Sequence, residues 1–311
     1  MKYYFAPMEG ITIYIYRNAL EKYFGGIDKY FTPFIMPNGK RIFRTREKND
    51  VMPEHNQGIT LVPQILTRKS EEFIKTAVQL KEMGYDEVNL NLGCPSKTVV
   101  SKGKGSGFLA EPEELDEFLD EIFHSLNMKI SIKTRIGKVS ADEFEELIKV
   151  FNQYPLEELI IHPRIQTQFY QGSPNMEVFQ MAADQSVNPV CYNGDLVTTE
   201  DIRTFQQNFP KIEMVMIGRG LLRNPALVRQ MKGGKPLDKE SLRKMHDQVY
   251  EAYQEALSGD KNVLFKMKDF WTNPVQMFKN HEKYAKKIKK AQKLEVYENA
   301  VKELFDQQEL L

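Results

Sequence analysis

Eight short apolar segments, separated by amphipathic stretches long enough to be helices, constrain this chain more than any other feature. They fall at residues 3–6, 29–32, 60–65, 87–91, 129–133, 159–162, 189–192 and 214–217. Each is too short for a helix, and several are rich in β-branched or aromatic residues, so they read as strands. Between them, residues 113–127 keep Leu115, Phe118, Leu119, Ile122, Phe123 and Leu126 on one helical face. Residues 70–84, 141–153 and 198–209 follow the same logic more loosely, with Gly84 as a helix stop. Strand–helix alternation implies parallel strands. Eight such units favour an α/β chain closed into a (β/α)8 TIM barrel over an open doubly wound sheet.

Two stretches depart from the repeat. Residues 36–58 are polar, with Pro37-Asn38-Gly39 as a turn, which predicts a loop or hairpin in place of a regular helix. A long loop with four glycines runs from Leu92 to about Pro112. After Gly233-Gly234 the pattern changes: residues 238–257 and 294–310 have helical apolar spacing with no strand between them. The expected division is a catalytic barrel over 1–234 and a small helical domain over 235–311. In the latter Lys279, Lys283, Lys286, Lys287, Lys289, Lys290 and Lys293 face one acid, Glu282, for a local net charge of +6.

Composition narrows the function classes. At 41% hydrophobic and 28% charged residues, the 311-residue chain is an ordinary globular protein and not a disordered one. Basic and acidic residues are both 43, so any nucleic-acid surface must be a local asymmetry. Two cysteines exclude a disulfide framework and a cysteine-based zinc site, and no metal is expected. Pro7 interrupts the N-terminus before a signal-peptide core can form, and no apolar run approaches the roughly 20 residues of a membrane span. The expectation is a reduced, soluble, cytoplasmic protein with no membrane and no obligate protein partner.

Nearly every strand candidate ends in polar or glycine residues unsuited to a core. The ends are Pro7-Met8-Glu9, Gln64, Asn91-Leu92-Gly93-Cys94, Lys133 with Arg135, His162 with Arg164, Asn193-Gly194-Asp195 and Gly218-Arg219-Gly220. In a parallel barrel these converge on the C-terminal rim, where barrel enzymes keep their sites. One such end can be a turn residue or a satisfied rim charge; seven together favour an enzyme. The loops after strands seven and eight commonly hold a phosphate in such barrels, and Arg219 adds a fixed positive charge there. Tight βα turns are the other reading of the same glycines; a phosphate-bearing cofactor is favoured, and neither motif matches a dinucleotide fingerprint. Cys191 sits inside an apolar strand and reads as a small buried hydrophobe. Cys94 lies past a strand end in a polar loop, where a thiol can serve as an acid, or as a nucleophile if a cation draws off its proton. No cysteine–histidine pairing at a known spacing is present, which favours the acid.

Taken together, these motifs resemble those of the tRNA-dihydrouridine synthases. The matching pieces are Ala6-Pro7-Met8-Glu9-Gly10-Ile11-Thr12, Asn89-Leu90-Asn91-Leu92-Gly93-Cys94-Pro95-Ser96 and Gly103-Lys104-Gly105-Ser106-Gly107. They continue, in the family's order, with Lys133-Thr134-Arg135-Ile136-Gly137, His162-Pro163-Arg164, Tyr170-Gln171-Gly172, Asn193-Gly194-Asp195 and Gly218-Arg219-Gly220. The resemblance implies an FMN-dependent barrel with a helical tRNA-binding domain, reducing the C5=C6 bond of particular uridines with NADPH as hydride source. By the same carry-over, Cys94 is the general acid, and Pro7, Met8, Glu9, Gln64, Lys133 and His162 lie along the flavin. Asn193, Gly194, Asp195, Gly218 and Arg219 hold its ribityl chain and phosphate. Asn91 would recognise the base, and Arg135, with Lys133, would stabilise negative charge on the flavin or the developing enolate of the substrate. The lysine-rich stretch with Lys286, Lys287, Lys289 and Lys290 is the candidate tRNA surface on its charge, a solvated helix face being the other reading. Ile13 and Asn175 stand where many members carry an acid and a tryptophan, so the target uridine is not assigned.

Two rival readings are weaker. A flavin barrel acting on a free pyrimidine has no use for the lysine-rich stretch. A non-catalytic RNA-binding protein has no use for Cys94, Lys133, His162 and Arg219 together.

Overall fold

The computed structural model describes residues 1–39 and 41–311. Its strands are β1 (Lys2–Phe5), β2 (Lys29–Phe31), β3 (Leu61–Val62), β4 (Gln64–Ile65), β5 (Glu87–Leu92), β6 (Lys129–Arg135), β7 (Leu159–His162), β8 (Val190–Tyr192) and β9 (Met214–Ile217). Their order is β3-β2-β1-β9-β8-β7-β6-β5-β4, with parallel pairing through β1–β2–β3 and through β4 to β9. The two ends of that order, β3 and β4, are separated only by Pro63, so the sheet closes on itself as the expected (β/α)8 barrel. Proline has no N–H for the ladder and splits the expected strand at 60–65 in two. The first half pairs with β2 and the second with β5, while the Pro63 carbonyl still accepts from Asn89 N at 2.9 Å.

One layer of the barrel is filled by Tyr4, Ala6, Phe31, Val62, Ile160, Cys191 and Met216. Cys191 is thus a core residue, and burial pushes its thiol well up. Outside, helices Ser70–Glu82 and Pro112–Ser125 meet through Phe73 and Phe118, whose rings pack edge-on at 5.8 Å. Phe108, from the loop after β5, meets Phe118 at 5.5 Å. Burying each such ring contributes about 2–3 kcal/mol, which ties that loop to the barrel wall.

The stretch 36–58 forms a bridge between Asn38 and Arg41, as a hairpin would. A helix, Thr45–Val51, follows it and was not expected, since Val51 is its one apolar residue and its other buried members are Glu47 and Asp50. Asn175 caps helix Met176–Gln185, accepting from Val178 N at 3.0 Å.

The described residues form two compact units, one of 1–7, 28–195 and 206–216, the other of 8–27, 196–205 and 217–311. The second unit contains helices Tyr14–Tyr23, Lys239–Ala256, Asp260–Trp271, His281–Lys290 and Leu294–Gln307. Asp238 starts the longest of these, accepting from Ser241 N at 2.7 Å. Helix Tyr14–Tyr23 packs on Lys239–Ala256, where Lys22 Nζ donates to Gln248 Oε1 at 2.8 Å. Tyr16 lies 5.9 Å from Phe270, ring to ring. The unit also buries a polar chain: Trp271 Nε1 donates to Tyr297 Oη at 3.0 Å, Tyr297 is 2.7 Å from His246 Nε2, and His246 Nδ1 is 2.8 Å from Asp247 Oδ1. An indole N–H only donates and a carboxylate only accepts, so the imidazole proton faces Asp247 and His246 Nε2 accepts from the Tyr297 hydroxyl. Burial lowers the His246 pKa, against the pull of Asp247.

Candidate active site

Strand β5 inverts the usual barrel pattern. Val88, Leu90 and Leu92 alternate with Glu87, Asn89 and Asn91, and all six are buried. Successive strand residues face opposite sides, so the three polar residues share one face. Register pairs Gln64 with Asn89, Asn89 with Ser131 and Asn91 with Lys133, which sets polar residues of β4, β5 and β6 side by side.

The upper part of this row is hydrogen-bonded. Asn91 Nδ2 donates to Gln64 Oε1 at 2.7 Å, and Gln64 Nε2 donates to Asn89 Oδ1 at 2.8 Å. Asn91 Oδ1 accepts the backbone N–H groups of Gly93 and Cys94 at 3.0 and 2.9 Å. The Cys94 carbonyl in turn accepts from Ser106 N at 3.1 Å and Ser106 Oγ at 2.8 Å. Gly105 makes that second contact feasible: its φ is +58°, and a Cβ there would lie 2.8 Å from the Cys94 carbonyl oxygen. Cys94, half-buried, is therefore held by backbone bonds on both sides while its side chain takes no part in them.

Lys133 is half-buried on β6 and makes no hydrogen bond or ion pair with the described residues. Burial, then the neighbouring Arg135, lower its ammonium to about 8, and Cys191 and Cys94 oppose that shift. An ammonium so placed is a donor waiting for an acceptor. Arg135 is placed otherwise. Its Nε donates to the Gly93 carbonyl at 3.0 Å, and its two terminal nitrogens donate to the carbonyls of Ile165 and Phe169 at 3.0 and 2.6 Å. It also lies 5.4 Å from the centre of the Tyr170 ring. The guanidinium thus staples the Cys94 loop to the loop after β7.

At the end of β7, buried Arg164 donates to His162 Nε2 at 3.0 Å and to Asp195 Oδ1 at 3.1 Å. A guanidinium offers no lone pair, so His162 Nε2 accepts and its ring proton sits on Nδ1. Asn193 Nδ2 donates to the Met216 carbonyl at 2.8 Å, joining the end of β8 to β9. Next to it a Cβ on Gly194 would fall 1.9 Å from Tyr192 Oη, so any larger residue there would have to displace the Tyr192 ring. This unit therefore assembles Gln64, Asn91, Cys94, Lys133, Arg135, His162, Asn193, Gly194 and Asp195 along consecutive strand ends, with Pro7 following β1. Arg164 was named from the sequence only as a strand-end residue. Its partners, two and thirty-one residues away, show that it holds both His162 and Asp195.

The family model described as Dihydrouridine synthase (Dus) matches residues 4–311. The chain belongs to the dihydrouridine synthase family. It is thereby one of a family of flavin-dependent barrel oxidoreductases. Among curated relatives, tRNA-dihydrouridine synthase B of Pasteurella multocida is 29% identical over 232 residues, covering 74% of this chain and 68% of the relative. A probable tRNA-dihydrouridine synthase of Staphylococcus aureus (strain COL) is 26% identical over 264 residues, covering 80% and 77%. Among solved structures, a variant of NCR from Zymomonas mobilis superposes with a TM-score of 0.55 at 13% identity, over 78% of this chain and 90% of that one. Morphinone reductase gives 0.53 at 11%, over 76% and 87%. At such identities the structures speak for the shared barrel alone.

The other candidate site residues, Met8, Glu9, Gly218, Arg219 and the four lysines, lie in the second unit. Met8 N donates to Thr12 Oγ1 at 2.8 Å, Glu9 is exposed, and the Gly10 carbonyl accepts from Lys266 Nζ at 2.8 Å. Gly218 precedes the short helix Arg219–Arg223, and Arg219 is exposed. Lys286, Lys289 and Lys290 are exposed on helix His281–Lys290. Lys287 pairs with Glu303 and Lys279 pairs with Glu309 at 2.9 Å, so acids from further along the chain offset part of the +6 read from the sequence. No helix among the described residues is long and apolar enough to cross a membrane.

Proposed function

We propose that this chain reduces the C5=C6 bond of uridines in tRNA to dihydrouridine, using FMN with NADPH as reductant. One observation supports this reading most: a half-buried lysine, Lys133, without a hydrogen-bonding partner among the described residues, beside two oriented amides and a thiol-bearing loop. That donor set fits a flavin. Gln64 and Lys133 would bond its polar edge, His162 its ribityl chain, and Pro7, Met8 and Glu9 would line it. Asn193, Gly194, Asp195, Gly218 and Arg219 would take the ribityl hydroxyls and phosphate. When bound and reduced, the flavin supplies the hydride that adds at C6 of the uracil.

The chain's own residues do the rest. Addition at C6 places negative charge on C5 and O4, and a proton must reach C5. Cys94 Sγ would give that proton, its loop held by Asn91 and Ser106 so that the thiol stays in place between turnovers. Lys133 would stabilise the developing negative charge, Asn91 would read the base, and Arg135 would keep the Cys94 loop closed over it. Residues 235–311 would carry the tRNA, with Lys286, Lys287, Lys289 and Lys290 against its phosphates. A uridine must leave its stack to reach such a site.

The test is Cys94→Ala. The variant should retain flavin and its reduction by NADPH while losing dihydrouridine formation on tRNA by about a hundredfold or more, as expected for a lost general acid. Full turnover would remove Cys94 from its role, and a wild-type protein that takes up no flavin would overturn the whole reading.

A further inference from the structure

The polar row beneath Gln64 extends deeper than the proposed chemistry requires. Asn89 Nδ2 donates to Ser131 Oγ at 2.9 Å, Ser131 Oγ donates to Glu87 Oε1 at 2.8 Å, and Lys29 Nζ donates to Glu87 Oε2 at 2.6 Å. Lys29 also bridges to Glu158 Oε1 at 3.0 Å. Valine, leucine or isoleucine would fill this interior without the cost of stripping water from polar groups.

The row has a direction. A side-chain amide turned end for end keeps its shape but exchanges donor for acceptor, so something must fix which way Gln64 and Asn91 face. Lys29 can only donate, and both Glu87 oxygens accept. Ser131 has one proton, gives it to Glu87, and is left accepting from Asn89. Asn89 must then turn its oxygen toward Gln64, and Gln64 its oxygen toward Asn91. At the far end the N–H groups of Gly93 and Cys94 also only donate, and the Asn91 oxygen meets them. The row is consistent in one direction only.

We propose that Glu87, Ser131 and Asn89 are positioning residues, which act with the Gly93 and Cys94 N–H groups at the other end of the row to hold the Gln64 and Asn91 amides rigidly in the one direction in which they are presented to the cofactor and the base. This rests on the flavin reading above for what the amides face, though not for how they are held. In Ser131→Ala the link between Glu87 and Asn89 is cut, and the Gln64 and Asn91 amides are held from the Gly93 and Cys94 end alone, turned the same way but less firmly fixed. In Glu87→Gln one end of the new amide must confront either Lys29 or Ser131 with the wrong group, which has the same consequence and serves if the alanine variant folds poorly.

The experiment measures two quantities. In the flavin-free protein, the side-chain amide NMR resonances of Gln64 and Asn91 should shift or broaden in Ser131→Ala and return toward wild type in Ser131→Thr. In titration with FMN, Ser131→Ala should bind about tenfold more weakly, the size of one weakened hydrogen bond. Unmoved resonances in a folded variant overturn the proposal. So does unaltered FMN affinity in a protein whose wild type binds it. A wild type that binds no FMN instead overturns the functional reading, and the resonances then still judge the row.

Discussion

In the barrel unit the buried polar row ends on ions, Lys29 between Glu87 and Glu158, whereas in the helical unit Trp271, Tyr297 and His246 form a neutral chain that meets a carboxylate, Asp247, only at its half-exposed end. Both are directed by groups that can only donate. They differ in what holds that direction. In the barrel burial works against the Lys29 ammonium, yet Glu87 and Glu158 outweigh it and raise its pKa. Burial and then Glu87 raise the pKa of Glu158. Such a cluster is steady around neutral pH but intolerant of losing a member. The helical chain tolerates a lost member better, yet depends on an imidazole that can charge.

The largest expected effect breaks the ionic end. Lys29→Met leaves two carboxylates facing each other and should cost about 3–5 kcal/mol in urea unfolding at pH 7. The double variant with Glu158→Gln should recover part of it, and stability of the single variant should rise as pH falls and the carboxylates protonate. A cost near zero would show that water reaches the cluster. Next, Tyr297→Phe strands the Trp271 N–H and His246 Nε2 and should cost about 1–3 kcal/mol.

A pH titration sharpens the contrast. The His246 pKa is lowered by folding, so its neutral form contributes stability that is present above the unfolded value of 6.5 and lost as pH falls through the folded one. Trp271 is the chain's one tryptophan, so its fluorescence should report weakening of the helical unit as pH falls below the unfolded histidine value. His246→Gln should flatten that dependence, and an unchanged profile would assign it elsewhere. The smallest effect on stability should come from changing Lys286, Lys287, Lys289 and Lys290 to Gln. The thermal midpoint should barely move, because exposed pairs contribute little. The slope of log K against log salt for tRNA should become shallower, by about 0.7–0.9 per lost phosphate contact.

Much of the barrel was legible because strand ends and strand lengths are written locally. All eight expected strands are present, and the expected helix at 113–127 is Pro112–Ser125. What was not legible depends on contacts distant in sequence. Pro63 splits a strand because its two halves meet different neighbours, β2 and β5. Helix Asp260–Trp271 was missed because exposed Phe265 and three lysines blur the spacing of Val263, Leu264, Met267, Phe270 and Trp271. At the site, Gln64, Asn91 and Lys133 could be read from strand-end motifs. That Arg135 spends its donors on three backbone carbonyls could not, since those carbonyls come from two separate loops.

Helix Tyr14–Tyr23, whose buried face includes Ile15, Tyr16, Ala19 and Leu20, is covered by residues some two hundred positions later. During synthesis that face leaves the ribosome some two hundred residues ahead of the helices that cover it and must wait, uncovered, until they have been made. A chaperone would find its most persistent client surface there, and a premature stop near residue 240 would leave it permanently exposed.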